Sequence, residues 1–316
     1  MILLSSVGFL EEWPKIQEDV GYNPECIYNI DETGLFWKLF PKKLVVSMTA
    51  SDAGKGYKIR KDRYTATLCC NMTGTHRAKL LIIGKAAKPR SFRNMSTALK
   101  SSFTYAANDT AWMTSVVFLN WFHRQLSPQL EFANPSAKKI IVFADNHSSR
   151  PATLVSQSGI VELRLFPANC TSKLQPLDQG IIATFKMLTR HRFVRKIIEA
   201  LDSNESREHY SFVDAVKEYT FADAINDAVS TWELFQIINC WRKSGLKMVN
   251  TAPAGVVVDV TYSRESDDIP LVELNPIPIE DVMDMMKIMF DKTVTISANH
   301  AATLVRTICR AKQRIM

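Results

Sequence analysis

The chain has no apolar run approaching the ~20 residues that a membrane-crossing helix needs. Its opening stretch, Met1-Ile-Leu-Leu-Ser-Ser, lacks the basic residues of a secretory signal, and its apolar character ends at Glu11-Glu12. Together these absences predict a chain with no membrane partner. Six cysteines occur (Cys26, Cys69, Cys70, Cys170, Cys240 and Cys309), with no Cys-x-x-Cys pair and no Cys/His spacing suited to zinc. Several sit in apolar runs, where a free thiol packs as a small hydrophobe. That usage points to a reducing compartment, cytosol or nucleus. Repeats and low-complexity tracts are also missing. An apolar content of 46% with 22% charged residues excludes the disordered and collagen-like classes.

What is present is length and an uneven charge. The 316 residues are enough for one sizeable domain with an appendage and a proper core. The formal charge is +7. Residues 251–316 hold seven Lys or Arg against nine Asp or Glu, so the first 250 residues carry +9. A basic body suits a polyanion, because each neutralised phosphate releases counterions. A solvated basic surface is the alternative, and charge by itself does not separate the two.

The order of elements is more informative. Cys26-Ile-Tyr-Asn-Ile-Asp31 is a short β-prone run. Tyr64-Thr-Ala-Thr-Leu-Cys-Cys70 is rich in strand formers and leads into the turn Asn71-Met-Thr-Gly74. Lys79-Leu-Leu-Ile-Ile83 follows and stops at Gly84, so the two read as a hairpin. Val116, Val117, Leu119, Trp121, Phe122 and Leu126 fall mostly on one helical face, with Thr114 or Ser115 placed to cap it. Lys139-Ile-Ile-Val-Phe-Ala144 is the continuous apolar run of a strand covered on both faces. A short helix is expected over residues 151–158, ended by Gly159. Val161-Glu-Leu-Arg-Leu-Phe166 then alternates as a fifth strand, and a long helix is expected from about Gln179 to Ala200. Three strands, a helix, a strand, a helix, a strand and a helix form the order of the ribonuclease-H-like α/β fold, a mixed central sheet with flanking helices. A further helical stretch runs through Trp232 to Trp241 and ends near Gly245. Beyond a linker, an acidic helix over about 279–290 and a basic terminal helix are expected. The expected division is a core over residues 1–247 and a linker with a small, mostly helical appendage over 248–316.

Three acids stand at the ends of these elements. Asp31 closes the first strand, in Asn29-Ile-Asp31-Glu32-Thr33-Gly34. Asp145 closes the fourth, in Val142-Phe-Ala-Asp145-Asn146. Asp178 opens the long helix, in Leu174-Gln-Pro-Leu-Asp178-Gln179-Gly180. If the first and fourth strands are neighbours, the first two acids emerge side by side, and the helix brings the third to face them. Phosphodiester cleavage needs such a cluster: two hard cations about 3.5–4 Å apart activate a water or 3′-hydroxyl and stabilise the leaving oxygen. Mg2+ and Mn2+ prefer oxygen ligands, so carboxylates suit them. Taken singly, each acid has a structural explanation: turn chemistry at Asp31, an Asx-turn at Asp145-Asn146, a helix cap at Asp178. Their joint placement favours the metal site. Glu32 is expected to point to the opposite side of its strand.

At these residues the chain resembles the catalytic domain of the Tigger/pogo branch of DDE transposases, with its Jerky and centromere-protein-B-like relatives. The resemblance is carried by Tyr28-Asn-Ile-Asp-Glu-Thr-Gly-Leu-Phe-Trp-Lys38, the run over 64–74, and Leu81-Ile-Ile-Gly-Lys-Ala-Ala-Lys-Pro-Arg90. Asp145-Asn146, Pro167-Ala-Asn-Cys-Thr-Ser-Lys-Leu-Gln-Pro-Leu-Asp-Gln-Gly-Ile-Ile182 and Asn239-Cys-Trp-Arg-Lys-Ser-Gly245 continue it, in the family's order, over about residues 5–247. It implies a catalytic, metal-ligating triad on Asp31, Asp145 and Asp178, and Mg2+ or Mn2+ in a two-metal site. It further implies DNA as partner, a homo-oligomer, no small-molecule cofactor and a nuclear location. Family members often carry a His a few positions after the Asp-Asn pair. Here the run is Asp145-Asn146-His147-Ser-Ser-Arg150, and His147 is expected to be a surface loop residue. Relatives also carry tandem helix-turn-helix domains ahead of this core. This sequence begins almost at the core, as expected of a truncated copy, a partial gene model or a decayed element.

The long helix is basic, with Lys186, Arg190, His191, Arg192, Arg195 and Lys196 and no acid until Glu199. Lys186, Arg190 and Arg195 are the candidate DNA-backbone contacts, and a solvated basic face is the alternative. Trp37, Trp112, Trp121, Trp232 and Trp241 are expected to be core or domain-contact residues. Two functions are compatible with this pattern. The first is an endonuclease or transposase core, favoured by the retained triad. The second is a domesticated nuclear protein that binds DNA without cutting it. A ribonuclease-H-like nuclease of broad specificity is a third, less favoured reading.

Overall fold

The computed structural model describes residues 6–247, apart from 22, 40–61, 169, 205–209, 211 and 235–237. The linker and helical appendage expected over 248–316 lie outside the described residues.

Seven strands form one mixed sheet: β1 (Ile27–Phe36), β2 (Arg63–Asn71), β3 (Leu80–Gly84), β4 (Phe103–Ala107), β5 (Ile140–Ala144), β6 (Leu154–Val155) and β7 (Val161–Leu165). Their spatial order is β4-β3-β2-β1-β5-β7-β6. The hairpin expected from the two β-prone runs is present, β2 pairing antiparallel with β3. β1 runs antiparallel to β2 along its length and parallel to β5 over Ile27–Asn29 only. β5 in turn runs parallel to β7. The first strand and the Lys139–Ala144 run are therefore neighbours, and the ribonuclease-H-like α/β architecture is the observed one. Every residue of β5 is fully buried, as an unbroken apolar run between two covered faces requires.

Three features of the sheet differ from the sequence reading. β1 continues five residues past Asp31, because β2 offers a partner as far as Phe36↔Arg63. That pairing overrides the turn chemistry of Glu32-Thr33-Gly34. β4 was not foreseen; it adds parallel to β3 at the sheet edge, and four of its five residues are only half-buried, which leaves no alternating apolar signature. The helix expected over 151–158 does not form. Leu154 and Val155 pair antiparallel with Leu163 and Glu162 instead, and Gly159, at φ +78°, turns the chain between the two strands. Ladder bonds to β7 outweigh the local helical preference.

Nine helices are described: α1 (Ser6–Asp19), α2 (Thr97–Ser101), α3 (Ser115–Trp121), α4 (Ser127–Ala133), α5 (Thr171–Leu174), α6 (Ile181–Ser203), α7 (Phe212–Glu218), α8 (Phe221–Leu234) and α9 (Ile238–Lys243). Thr114 caps α3 as expected, its hydroxyl accepting from the Val117 amide at 3.3 Å. A π-helical turn, Phe122–Leu126, joins α3 to α4. Phe118, Trp121, Phe122 and Leu126 form the buried face of this unit, while Val116 and Leu119 stay exposed. Phe9 and Trp13 of α1 lay their rings against Phe143 of β5, with Phe166 stacked beside it. Burying an aromatic ring of this size contributes about 2–3 kcal/mol, so α1 is firmly seated on the sheet. Trp121, Trp232 and Trp241 are buried as expected, and the Trp232 indole donates to the Ala78 carbonyl at 3.0 Å. Trp112 departs from expectation: it is 53% exposed, with the Arg63 guanidinium 3.7 Å from its ring centroid. No helix among the described residues is long and apolar enough to cross a membrane.

Candidate active site

Asn29 fixes the acid-bearing segments to one another. It is fully buried, donates from Nδ2 to the Phe143 carbonyl at 3.0 Å and accepts the Leu177 amide on Oδ1 at 3.0 Å. Asp31 lies two residues beyond Asn29, Asp145 two beyond Phe143, and Asp178 one beyond Leu177. One side chain thus ties β1, β5 and the turn before α6 together. Asp31 sits within β1 and does not close it. What ends beside it is the pairing to β5, at Asn29↔Phe143, which opens a notch on that side of β1. Asp145 follows directly on the last residue of β5, as expected.

Asp178 is placed differently from its expected helix-opening position. It lies in a single 3-10 turn, Pro176–Gln179, and Gly180 (φ +135°) separates that turn from α6. Pro176 favours the tight turn, and the positive φ at Gly180 changes the chain direction. Asp178 therefore does not cap α6, and the cap explanation of this acid fails.

Carboxylate oxygens of Asp31, Glu32 and Asp145 lie within 4.8 Å of one another. Asp178 is not one of these three, but it lies near enough for its charge to act on Asp31. Burial first, then the charges of Asp178 and Glu32, push the Asp31 carboxyl well above the usual carboxylate range; Gln175 and the Glu32 amide act in the other direction. That amide donates to Asp31 Oδ1 at 2.7 Å. Asp178 is raised too, by burial, against the opposing effects of Asp31 and Lys186. Negative charge is crowded here beyond what the protein neutralises. Glu32 Oε1 is buried without a hydrogen-bond partner. A donor set of carboxylate oxygens alone, in excess of counter-charge, fits a hard divalent cation.

Glu32 was expected to face away from the cluster. It faces into it, because beyond Asn29 no strand covers the β5 side of β1, and its longer side chain reaches round the open edge. Its partner there is Arg150, whose guanidinium bridges Glu32 and Asp145. The Arg150 side chain is 0% exposed. Neither residue was placed in the site by the sequence. Acid next to acid at 31–32, and a cation five residues after Asp145, are the only local signals, and their meeting spans 118 positions. His147 is a loop residue at the surface, as expected, with its Nδ1 engaged by Ser149.

The three candidate DNA contacts separate. Lys186 and Arg190 line one cleft with Phe36, Trp37 and Phe193. Lys186 is close enough to feel Asp31 and Asp178, while burial and Arg190 push its ammonium below the usual lysine range. Arg195 does not line that cleft. Nine residues after Lys186 is half a turn round a helix, and there Arg195 pairs with Glu199 at 3.4 Å in an exposed i,i+4 contact. Lys196 is likewise engaged, with Asp227 at 2.8 Å.

The chain is similar to several known proteins. The DDE superfamily endonuclease family matches residues 61–241, more than half of the chain. Tigger transposable element-derived protein 4 of Mus musculus is 30% identical over 221 residues, covering 70% of this chain and 37% of that protein. Jerky protein of Mus musculus is 36% identical over 177 residues, covering 53% of this chain and 30% of that protein. The chain thus spans about a third of the length of these relatives. Among solved structures, a Mos1 transposase paired-end complex with the left transposon end matches 77% of this chain and 62% of its own, at 12% identity and a TM-score of 0.35. The chain belongs to the DDE superfamily endonucleases, in their Tigger/pogo transposase branch.

Proposed function

We propose that the chain is the core of a DNA-cleaving DDE endonuclease or transposase that breaks a phosphodiester and transfers the strand by in-line displacement. The convergence of Asp31, Glu32 and Asp145 oxygens within 4.8 Å carries this reading, with Asp178 near enough for its charge to act on Asp31. These four acids would hold the divalent ions, Mg2+ or Mn2+ in a two-metal site, which supply Lewis-acid stabilisation of a phosphoryl oxygen and a more acidic bound water. The protein's own part is positional. Asn29 holds the three acid-bearing segments in register, and crowded carboxylates favour entry of a cation over protons. Lys186, beside the acids, and Arg190, in the same cleft, offer positive charge to a DNA backbone approaching over α6. DNA as partner, self-association and a nuclear location belong to the same reading, on the likeness to a protein named as transposable element-derived.

A second reading, DNA binding without cutting, is favoured by one observation: the buried Arg150 already pairs with Asp145 and Glu32. Nicking of supercoiled plasmid in Mn2+ separates the two. Cleavage by the wild type that is lost on Asp31→Asn and Asp145→Asn is expected. Salt-sensitive DNA binding with no nicking above those variants would transfer the protein to the second reading.

A further inference from the structure

We infer that Arg150 is a resident counter-ion of the acidic cluster, competing with divalent metal for Asp145 and Glu32; this rests on the metal-site reading above. The guanidinium has no exposed surface, and its Nη1 and Nη2 are committed to Asp145 Oδ1 and Glu32 Oε2. Nη1 also reaches the Asp145 carbonyl at 3.3 Å, and Nε is buried with no partner. A tight turn holds the residue in place, its amide donating to the His147 carbonyl at 3.0 Å and the His147 amide to that of Asp145 at 3.0 Å. Phe118 of α3 packs against the guanidinium, 5.5 Å from its ring centroid. The charge therefore cannot swing out to solvent by a rotamer change alone.

A buried guanidinium draws its compensation from its acids, and the acids draw theirs from it. Each carboxylate oxygen given to Arg150 is an oxygen withdrawn from a metal. A fixed positive charge in direct contact with two ligands also repels a dication arriving at the third. Glu32 Oε1 is left over, buried and unpartnered, and marks the side from which a cation is offered a free oxygen. Arg150 thus holds the cluster together without metal and sets a high threshold for loading it. A cation that loads the site either shares Asp145 with the guanidinium or displaces it.

The test is Mn2+ binding to the full 316-residue chain, by calorimetry and by the thermal midpoint in chelator against saturating Mn2+. Arg150→Gln removes the charge and keeps a polar side chain. It is expected to melt below the wild type in chelator, to recover most of that loss in Mn2+, and to bind Mn2+ at least tenfold more tightly. Arg150→Lys keeps the charge as a single point that cannot bridge both acids. It serves where the Gln variant does not fold, and is expected to bind Mn2+ more tightly than wild type by a smaller factor. Equal or weaker Mn2+ binding by the folded variants overturns the competition while leaving the metal site standing. No binding by the wild type or either variant overturns both.

Discussion

The Asn29 side-chain oxygen accepts the Leu177 backbone amide at 3.0 Å, across 148 positions of sequence. Through that bond, the residue before Asp178 is held by the strand that carries Asp31. Asn29→Leu removes this acceptor and the donor to Phe143, stranding a buried amide and a buried carbonyl. The expected loss is about 2–4 kcal/mol in urea unfolding, from two unpaired buried groups. A change within 0.5 kcal/mol would mean the segments are held by apolar packing instead.

Asp31 illustrates the cost of assembling such a cluster. Its carboxyl is held above its ordinary range, so ionising it in the folded state is opposed by burial and by two other acids. Asp31→Asn removes that penalty and is expected to stabilise the metal-free protein by on the order of 2 kcal/mol. The same change should erase any stabilisation by Mn2+. Chemical unfolding in chelator measures the first, and thermal unfolding with added Mn2+ the second.

His76 gives the protein a separate acid sensitivity. Asn134 donates to the Tyr28 hydroxyl, which leaves that hydroxyl to donate to His76 Nδ1 at 2.9 Å. Burial holds the imidazole below its usual range. The unfolded chain therefore takes up a proton near its ordinary value of about 6.5 that the folded chain refuses. Stability contributed by neutral His76 is full above that pH and lost as pH falls below it. His76→Gln should flatten the wild-type decline in stability between pH 7 and pH 5. An unchanged slope would place the acid sensitivity elsewhere, with His191, also depressed by burial, the next residue to change.

DNA binding should track the cleft and spare the outer face of α6. Lys186→Glu with Arg190→Glu reverses two charges that line one cleft. The pair is expected to weaken binding to all sequences and to make log affinity less steep in log salt. Arg195→Glu should do less, because Arg195 is already paired with Glu199. Fluorescence anisotropy over a salt series compares them, and an Arg195→Glu effect as large as the double change would place the DNA on the other face.

Much of the sheet was legible because β2, β3, β5 and β7 are apolar or alternating runs bounded by turns. The first strand was read short, since Glu32-Thr33-Gly34 is turn chemistry locally and becomes strand only when β2 pairs with it. β4 and β6 were missed because edge strands are half-buried and short, and their stability comes from one neighbour each. The nearness of Asp31 and Asp145 was legible because each follows a β-prone or apolar run on neighbouring strands, whereas the place of Asp178 was read as a helix start and is a 3-10 turn. Glu32 and Arg150 were not, because what brings them together is an open strand edge and a loop conformation, neither encoded in spacing. Arg195 was grouped with Lys186 although helix geometry sets them on opposite faces.

Asp178 is the acid whose role is tested most directly, since it stands outside the converging oxygens of Asp31, Glu32 and Asp145 and acts on Asp31 through its charge. Asp178→Cys replaces a carboxylate with a softer thiolate, a poor ligand for Mg2+ and a better one for the softer Mn2+. The measurement is the rate of plasmid nicking by the chain fused to a foreign DNA-binding domain, in each metal. Wild type is expected to nick in both, and Asp178→Cys to lose at least a hundredfold in Mg2+ and regain a substantial part in Mn2+, if Asp178 is a metal ligand. Equal rates for Asp178→Cys and wild type in Mg2+ would contradict that role, as would a folded variant equally inactive in both metals.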